Sequence, residues 1–229
     1  MQAVIEAIIQ ETQAVRRFRL RPEKPLEHRP GQFCLLSLPE SNVARPYSIA
    51  TSPTEEQGFF ELIIKRVEHG RLTPALFAKK EGDVVDVKGP FGTFYYRDGV
   101  YAPVVLIGGG SGIAPLRSIL HYLLAKKVKV PIWLFFGNRT EQDIILHNEF
   151  SALSSEHENF SYIPVVDHPK DGSWQGYAGH VTESLVAERV VDLRAPHYYL
   201  CGPPGMVAQI ICALEVHGVP HEHIRREQW

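Results

Sequence analysis

Residues 104–120 read VVLIGGGSGIAPLRSIL. An apolar run enters a glycine-rich turn and a helical pattern follows, so the stretch is a strand, a tight turn and a helix. In such a unit the free N–H groups at the helix start attract a phosphate. Glycines let the backbone approach it without a Cβ in the way. The string is not the common dinucleotide fingerprint, because counting from Gly108 a glycine falls at Gly110 but Ile113 holds the third glycine position. Nor is it a Walker loop, since no Gly-Lys-Ser/Thr follows. Taken alone, the stretch fits a phosphate cradle or a tight structural turn.

The texture around it is α/β. From residue 101, strand patterns (PVVLIGG, PIWLFFG, FSYIPVV, HYYLCGP and HIRREQW) alternate with helical patterns near 113–126, 141–154, 179–190 and 204–217. That alternation implies a parallel sheet covered on both faces. Residues 1–98 differ. Short strands (AVIEAIIQET, VRRFRLRP, GQFCLLSLP, RPYSIAT, FFELIIKRV, DVVDVKG) are broken by turns, which suggests a small antiparallel β-barrel. One short helix interrupts it, with Thr73 as N-cap, Pro74 at the first helical position and Gly82 as stop. The segment YRDGVYAP (96–103) marks the boundary, giving domains 1–98 and 99–229.

Bulk properties agree. A chain of 229 residues exceeds what one small core needs. With 44% hydrophobic and 22% charged residues it reads as a soluble globular protein. A formal net charge of −2 provides no basic field for nucleic acid. Runs such as PVVLI (103–107) are too short to span a bilayer, and the first residues lack the basic and apolar regions of a signal peptide. Cys34, Cys201 and Cys212 are odd in number and widely spaced, which argues against a disulfide framework and for a reducing cytoplasm. An all-cysteine iron–sulfur cluster needs a fourth thiolate. His217, His221 and His223 match no zinc spacing, so no metal is expected.

Two further stretches carry chemistry. In RPYS (45–48) a strand begins with a permanent cation and a residue that gives no N–H to a ladder. Alternation puts Tyr47 on the side of Arg45, with Ser48 on the other. In HYYLCGPPGMV (197–207) a strand ends at Cys201 in a turn on the same sheet edge as the first glycine loop, where open α/β sheets bind ligands. Cys201 is then either a buried structural cysteine or a site residue.

RPYS, the barrel, GGGSGIAP and CGPPGM occur in the order and spacing of the ferredoxin–NADP reductase family, and the resemblance covers essentially the whole chain. Compact NAD(P)H–flavin reductases and the reductase modules of oxygenases look nearest. The resemblance implies a bound flavin, with Arg45 neutralising its phosphate, Pro46 tolerated at an unpaired position, the Tyr47 ring against the flavin and Ser48 near flavin N5. In ELIIKRVEHGRLTP (61–74), Ile63, Ile64 and Lys65 would line the ribityl side. Leu72 and Thr73 would offer donors to a pyrophosphate, which favours FAD over FMN. Gly109, Gly110, Ser111, Gly112, Ile113, Ala114 and Pro115 would hold the pyrophosphate of NADH or NADPH. In FFGNRTEQDIIL (135–146), either Arg139 would bind a 2′-phosphate, or Asp143 would instead face ribose hydroxyls or cap the following helix. Cys201, with Gly202, Pro203, Pro204 and Met206, would lie beside the nicotinamide. The final REQW is similar to the terminal acid–aromatic pattern of plant-type members. It would put Glu227 in the active site with Ser48 and Cys201, and lay Trp229 over the flavin.

The function so implied is hydride transfer from NAD(P)H to FAD and onward to a flavin, iron–sulfur or other acceptor, including a protein, in the cytoplasm. An electron-transfer subunit of a larger complex and a non-catalytic flavin sensor are the alternatives. The presence of Ser48, Cys201 and Glu227 argues against the sensor. The cluster cysteines that dihydroorotate dehydrogenase subunits carry near the C-terminus do not precede Trp229. If Arg139 binds a 2′-phosphate, Arg139→Ala raises the KM for NADPH and spares NADH. In an NADH-specific enzyme it changes neither much. Steady-state kinetics with both nucleotides decide, and a loss confined to NADH contradicts both versions.

Overall fold

The computed structural model describes the whole chain except Glu56, Gln57, Val100, Tyr101, Asp171, Ser173 and Trp229, and the side chain of Gln228. The chain forms two compact units, Met1–Tyr96 with Arg117–Lys126, and Arg97–Leu116 with Lys127–Trp229.

The first unit is a six-stranded antiparallel sheet curled into a barrel. Its strands are β1 (Gln2–Thr12), β2 (Val15–Pro22), β3 (Phe33–Ser37), β4 (Arg45–Ser48), β5 (Phe60–Lys65) and β6 (Val84–Phe91), in the order β4-β3-β6-β1-β2-β5. The terminal strands of this order meet through the Ile49–Leu62 bridge. Period-two patterning explains the core. Phe18 and Leu20 of β2 and Phe60, Leu62 and Ile64 of β5 point inward with Ile5, Leu36 and Val87. Each such side chain contributes roughly 1.5–3 kcal/mol on burial.

Arg17, Arg19 and Arg21 of VRRFRLRP point out and are matched by acids. Glu61, only 2% exposed, accepts Arg17 Nη1 at 2.8 Å and Arg19 at 3.0 Å, while Arg17 Nε reaches Glu11 at 2.7 Å. Two guanidinium forks are what make a buried carboxylate tolerable there.

Helix α1 (Thr73–Phe77) departs from the sequence expectation at both ends. Leu72 is its N-cap, Thr73 lies inside the first turn, and the helix ends at Phe77 rather than near Gly82. Arg16 fastens that end. Its Nη1 donates to Phe77 O at 2.8 Å and its guanidinium lies 4.9 Å from the Phe77 ring centre.

The second unit is a six-stranded parallel sheet of β7 (Val104–Gly109), β8 (Ile132–Asn138), β9 (Phe160–Val166), β10 (Tyr177–Ala178), β11 (His197–Gly202) and β12 (Ile224–Gln228), in the order β10-β9-β8-β7-β11-β12. Every residue of β7 is buried, as a central strand covered on both faces requires. Helix α2 (Ile113–Ala125) follows β7, its residues from Arg117 on belonging to the first unit, and helix α3 (His147–Glu156) lies on the sheet face where Phe136 meets Phe150 edge-on. Helices α4 (Glu183–Ala187) and α5 (Pro204–Val216) cover the other, packing Leu185, Val186, Val207 and Ile210 on Val105, Ile107 and Phe135.

Two expected helices are shorter than their patterns. Residues 141–154 divide into a 3₁₀ turn (Glu141–Asp143) and α3, separated by Leu146 at φ +56°. Only Glu183–Ala187 of 179–190 is α-helical. The two-residue β10 was not foreseen. Among the described residues no helix is long and apolar enough to cross a membrane, and no group of three or more His, Cys, Asp or Glu is placed to hold a metal ion.

At the amino end of β11 the His197 ring stacks on His223, centroids 4.4 Å apart, and Arg225 lies close by. Burial, then the charges of His223 and Arg225, hold the His197 imidazole below its ordinary value. Burial does the same to His147. The folded chain therefore favours neutral imidazoles. Their contribution to stability is complete above the ordinary histidine value of about 6.5 and is lost as pH falls from there through the lowered folded values. His197→Gln is expected to flatten part of the decline in melting temperature below about pH 6.5. A melting profile parallel to wild type contradicts this.

The turns after β7 and β11 press against each other. A Cβ on Gly112 would fall inside contact distance of the Cys201 carbonyl and 2.8 Å from Gly202 N, and one on Gly109 would fall 2.7 Å from the Pro203 ring. Gly112→Ala is therefore expected to cost about 1–3 kcal/mol, and more if the two turns cannot separate. Gly110 has φ +53° and nothing within 4 Å of an added Cβ, so Gly110→Ala costs only the left-handed backbone, about 1 kcal/mol. Denaturant melts of the pair measure the difference, and equal losses contradict the packing argument.

Candidate functional site

In the barrel, β4 is a terminal strand of the sheet order, paired with β3 along RPYS. That position explains Pro46, whose missing donor is tolerated on an edge. Register places Arg45 opposite Leu36 and Tyr47 opposite Cys34, with Ser48 on the other face opposite Phe33. Arg45 is exposed, and its Nη1 donates to Ala44 O at 2.9 Å, a local bond. Tyr47 is half-buried against the barrel core. Burial pushes its phenol up to about 12, with Arg45 opposing, so the ring is neutral. Ser48 is 3% exposed. A solvent-facing guanidinium, a neutral ring and a hydroxyl fit a flavin and its phosphate.

The second barrel segment fits less completely. Ile64 packs inside the core and does not line an outer surface, while Ile63 and the exposed Lys65 occupy the opposite face of β5. The Thr73 hydroxyl is turned inward. It donates to Val67 O and accepts from Val67 N, both at 3.0 Å, so it closes the 67–73 turn rather than pointing out as a donor. Gly70 allows that turn, since a Cβ there would lie 2.8 Å from Thr73 Oγ1. The 72–73 main chain at the start of α1 is what remains for a pyrophosphate, because the Leu72 side chain is also buried.

In the second unit the carboxyl ends of β7 and β11 lie side by side, Gly108 opposite Cys201. Beyond β7, Gly110–Gly112 forms a 3₁₀ turn that runs into α2, and no acidic residue occupies the first turn of α2. An anion there meets the positive end of the helix dipole without competition. The open space beside Gly110 is a cradle that a Cβ would enter, which fits a phosphate. Ile113 and Ala114 bury their side chains in the unit, so they contribute main chain only. Pro115 follows them in the first turn of α2.

Cys201 is fully buried, and its strand partner on the other side is Glu227 of β12. The structure thus puts these two expected residues next to each other. Gly202 is tight against Gly109 N, Pro203 and Pro204 are exposed at the turn, and Met206 is half-buried over Gly109. Arg139 is exposed just beyond β8. Asp143 is a cap: its Oδ2 accepts from Thr140 N at 3.2 Å and from Thr140 Oγ1 at 2.7 Å. Trp229 lies outside the described residues. Sequence reasoning missed Arg117 and Ser118, both buried, which bond to the main chain just after RPYS. The only signal was an arginine within an apolar helical pattern.

Known proteins resemble the chain. Residues 2–96 match the family model of the oxidoreductase FAD-binding domain, and residues 106–211 that of the oxidoreductase NAD-binding domain. The ferredoxin–NAD(P)(+) reductase component of the naphthalene 1,2-dioxygenase system of Pseudomonas putida is 33% identical over 98% of this chain and 67% of its own length. The reductase component of phenol 2-monooxygenase of Pseudomonas sp. (strain CF600) is 30% identical over 92% of this chain and 60% of its own. The crystal structure of the Amycolatopsis cytochrome P450 reductase GcoB superposes with a TM-score of 0.90 at 31% identity, over 100% of this chain and 69% of that one. The chain thus spans 60–69% of the length of these proteins. It belongs to the ferredoxin–NADP reductase family of FAD- and NAD-binding oxidoreductases.

Proposed function

We propose that the chain is an FAD-dependent NAD(P)H reductase, with a flavin domain over 1–98 and a nucleotide domain over 99–229, acting in the cytoplasm. The observation that carries the reading is the edge where Gly110 opens a cradle at a helix start beside the Cys201–Glu227 pair. That edge supports an anion site and a nicotinamide wall on neighbouring strands. FAD, when bound, supplies the change from hydride to single-electron chemistry. Arg45 neutralises its phosphate and the Tyr47 ring backs it. Ser48 would hydrogen-bond near its N5. The Gly109–Pro115 turn and the main chain at Gly202–Pro204 hold the nicotinamide nucleotide, and Met206 closes over it. Cys201 and Glu227 border the nicotinamide, while Arg139 faces the ribose side. The relatives are named as reductase components of oxygenase systems, which supports an oxygenase component or a ferredoxin as acceptor.

Anaerobic absorbance of the purified protein tests the reading. A flavin spectrum that bleaches on adding NADH or NADPH is expected, and failure to bind FAD overturns it. Arg45→Ala is expected to weaken FAD binding by about 1.5–3 kcal/mol, the size of a hydrogen bond to a charged group. Arg45→Lys recovers only part, because the planar fork is lost. An unchanged titration in Arg45→Ala removes the anchor.

A further inference from the structure

The main chain immediately after RPYS is held from several directions. Ile49 N donates to Gln32 O at 2.9 Å and Ala50 N to Glu61 O at 2.8 Å. Arg117 Nη1 donates to Ala50 O at 2.9 Å and stands 3.5 Å from Glu55 Oε1. That carboxylate in turn accepts from Ser52 N at 2.7 Å. Thr51 O accepts the Ser118 hydroxyl at 2.7 Å and faces His28 Nε2 at 3.0 Å. Arg117 is 5% exposed and Ser118 is wholly buried.

A buried guanidinium is costly, and an apolar residue of similar volume usually serves packing as well or better. What a leucine cannot do is hold a carbonyl two residues beyond Ser48 and a carboxylate that pins Ser52. The location matters because β4 has β3 as its ladder partner along RPYS. A ladder on one side leaves a strand free to tilt. We infer that Arg117, with Ser118, is a positioning residue for the flavin strand, fixing the exit of β4 and with it the direction of the Tyr47 and Ser48 side chains. The inference rests on the proposed flavin role of that strand. The two residues act through the carbonyls of Ala50 and Thr51.

The test compares wild type with Arg117→Leu, Arg117→Lys and Ser118→Ala as full chains. The measurements are FAD titration, visible circular dichroism of the bound flavin, thermal melts with and without FAD, and stopped-flow reduction by NADH under anaerobic conditions. Arg117→Leu and Ser118→Ala are expected to alter the flavin dichroism. They should slow reduction at saturating NADH by on the order of tenfold or more, the effect of a small misplacement of a positioned group, with NADH affinity unchanged. Arg117→Lys keeps the charge toward Glu55 without the fork and recovers part of the rate. Wild-type dichroism and rate in Arg117→Leu overturn the inference. Should that variant not fold, the same result in both Arg117→Lys and Ser118→Ala overturns it. A fall in melting temperature with dichroism and rate intact also overturns it, since the role is then structural only. If wild type binds no FAD, the functional reading fails and takes this inference with it. If wild type is loaded and reduced while the variants match it, only the inference fails.

Discussion

The nucleotide half of this protein depends on one close approach, the backbone of Gly112 lying against the carbonyl of Cys201. β7 and β11 are neighbours in the sheet though far apart in the chain. From β7 the chain runs outward through β8, β9 and β10, then returns to β11 on the other side of β7. The order reverses at that point, and the crevice beyond the strand ends there is where open α/β sheets take ligands. For the crevice to be shallow enough to grip a phosphate, the two turns must nearly touch. Gly109, Gly112 and Gly202 allow it, each meeting main chain or a proline where a Cβ would go. Gly110 alone in this turn combines a left-handed φ with open space. The glycines of one motif therefore divide into those that close the floor and one that shapes the cradle.

The barrel solves a different problem. The strand proposed to anchor the flavin, β4, sits at the end of a sheet order, where Pro46 costs no ladder bond and side chains are reachable. Accessibility brings softness, and the residues after Ser48 compensate through a dense set of main-chain bonds. Charge is also partitioned. Arg17, Arg19 and Arg21 are matched by Glu11, Glu61 and Glu6 on the same surface, whereas the bond found for Arg45 goes to the carbonyl of its own neighbour. A local bond of that kind is exchanged for a phosphate at small cost, while a guanidinium held by a buried carboxylate is not.

The strands were legible because their signals are local. Period-two alternation in VRRFRLRP and the continuous apolar run of β7 need no tertiary knowledge. The helices at 141–154 and 179–190 were overdrawn for equally local reasons that point the other way. The Thr140–Asp143 capping box closes a single 3₁₀ turn, and Leu146 at φ +56° breaks the path before α3. At Thr73, a hydroxyl that looks like a helix cap in sequence is drawn back to Val67 by a turn that only Gly70 permits. Strand alternation applied to ELIIK would have turned the Ile64 side chain into the core, where it packs. The ligand loops were legible as motifs. Their mutual contact was not, because Gly112 answers to a carbonyl from a distant strand.

The same contact limits what Cys201 can do. Its side chain is fully buried, its carbonyl is covered by Gly112, and it is flanked in the sheet by Gly108 and Glu227. A thiolate nucleophile needs exposure and a surrounding that lowers its pKa. A thiol with no exposed surface, held on an interior strand, does not meet the first of these conditions. Glu227 is on the outermost strand and only partly buried, so of the two it is the one open to solvent.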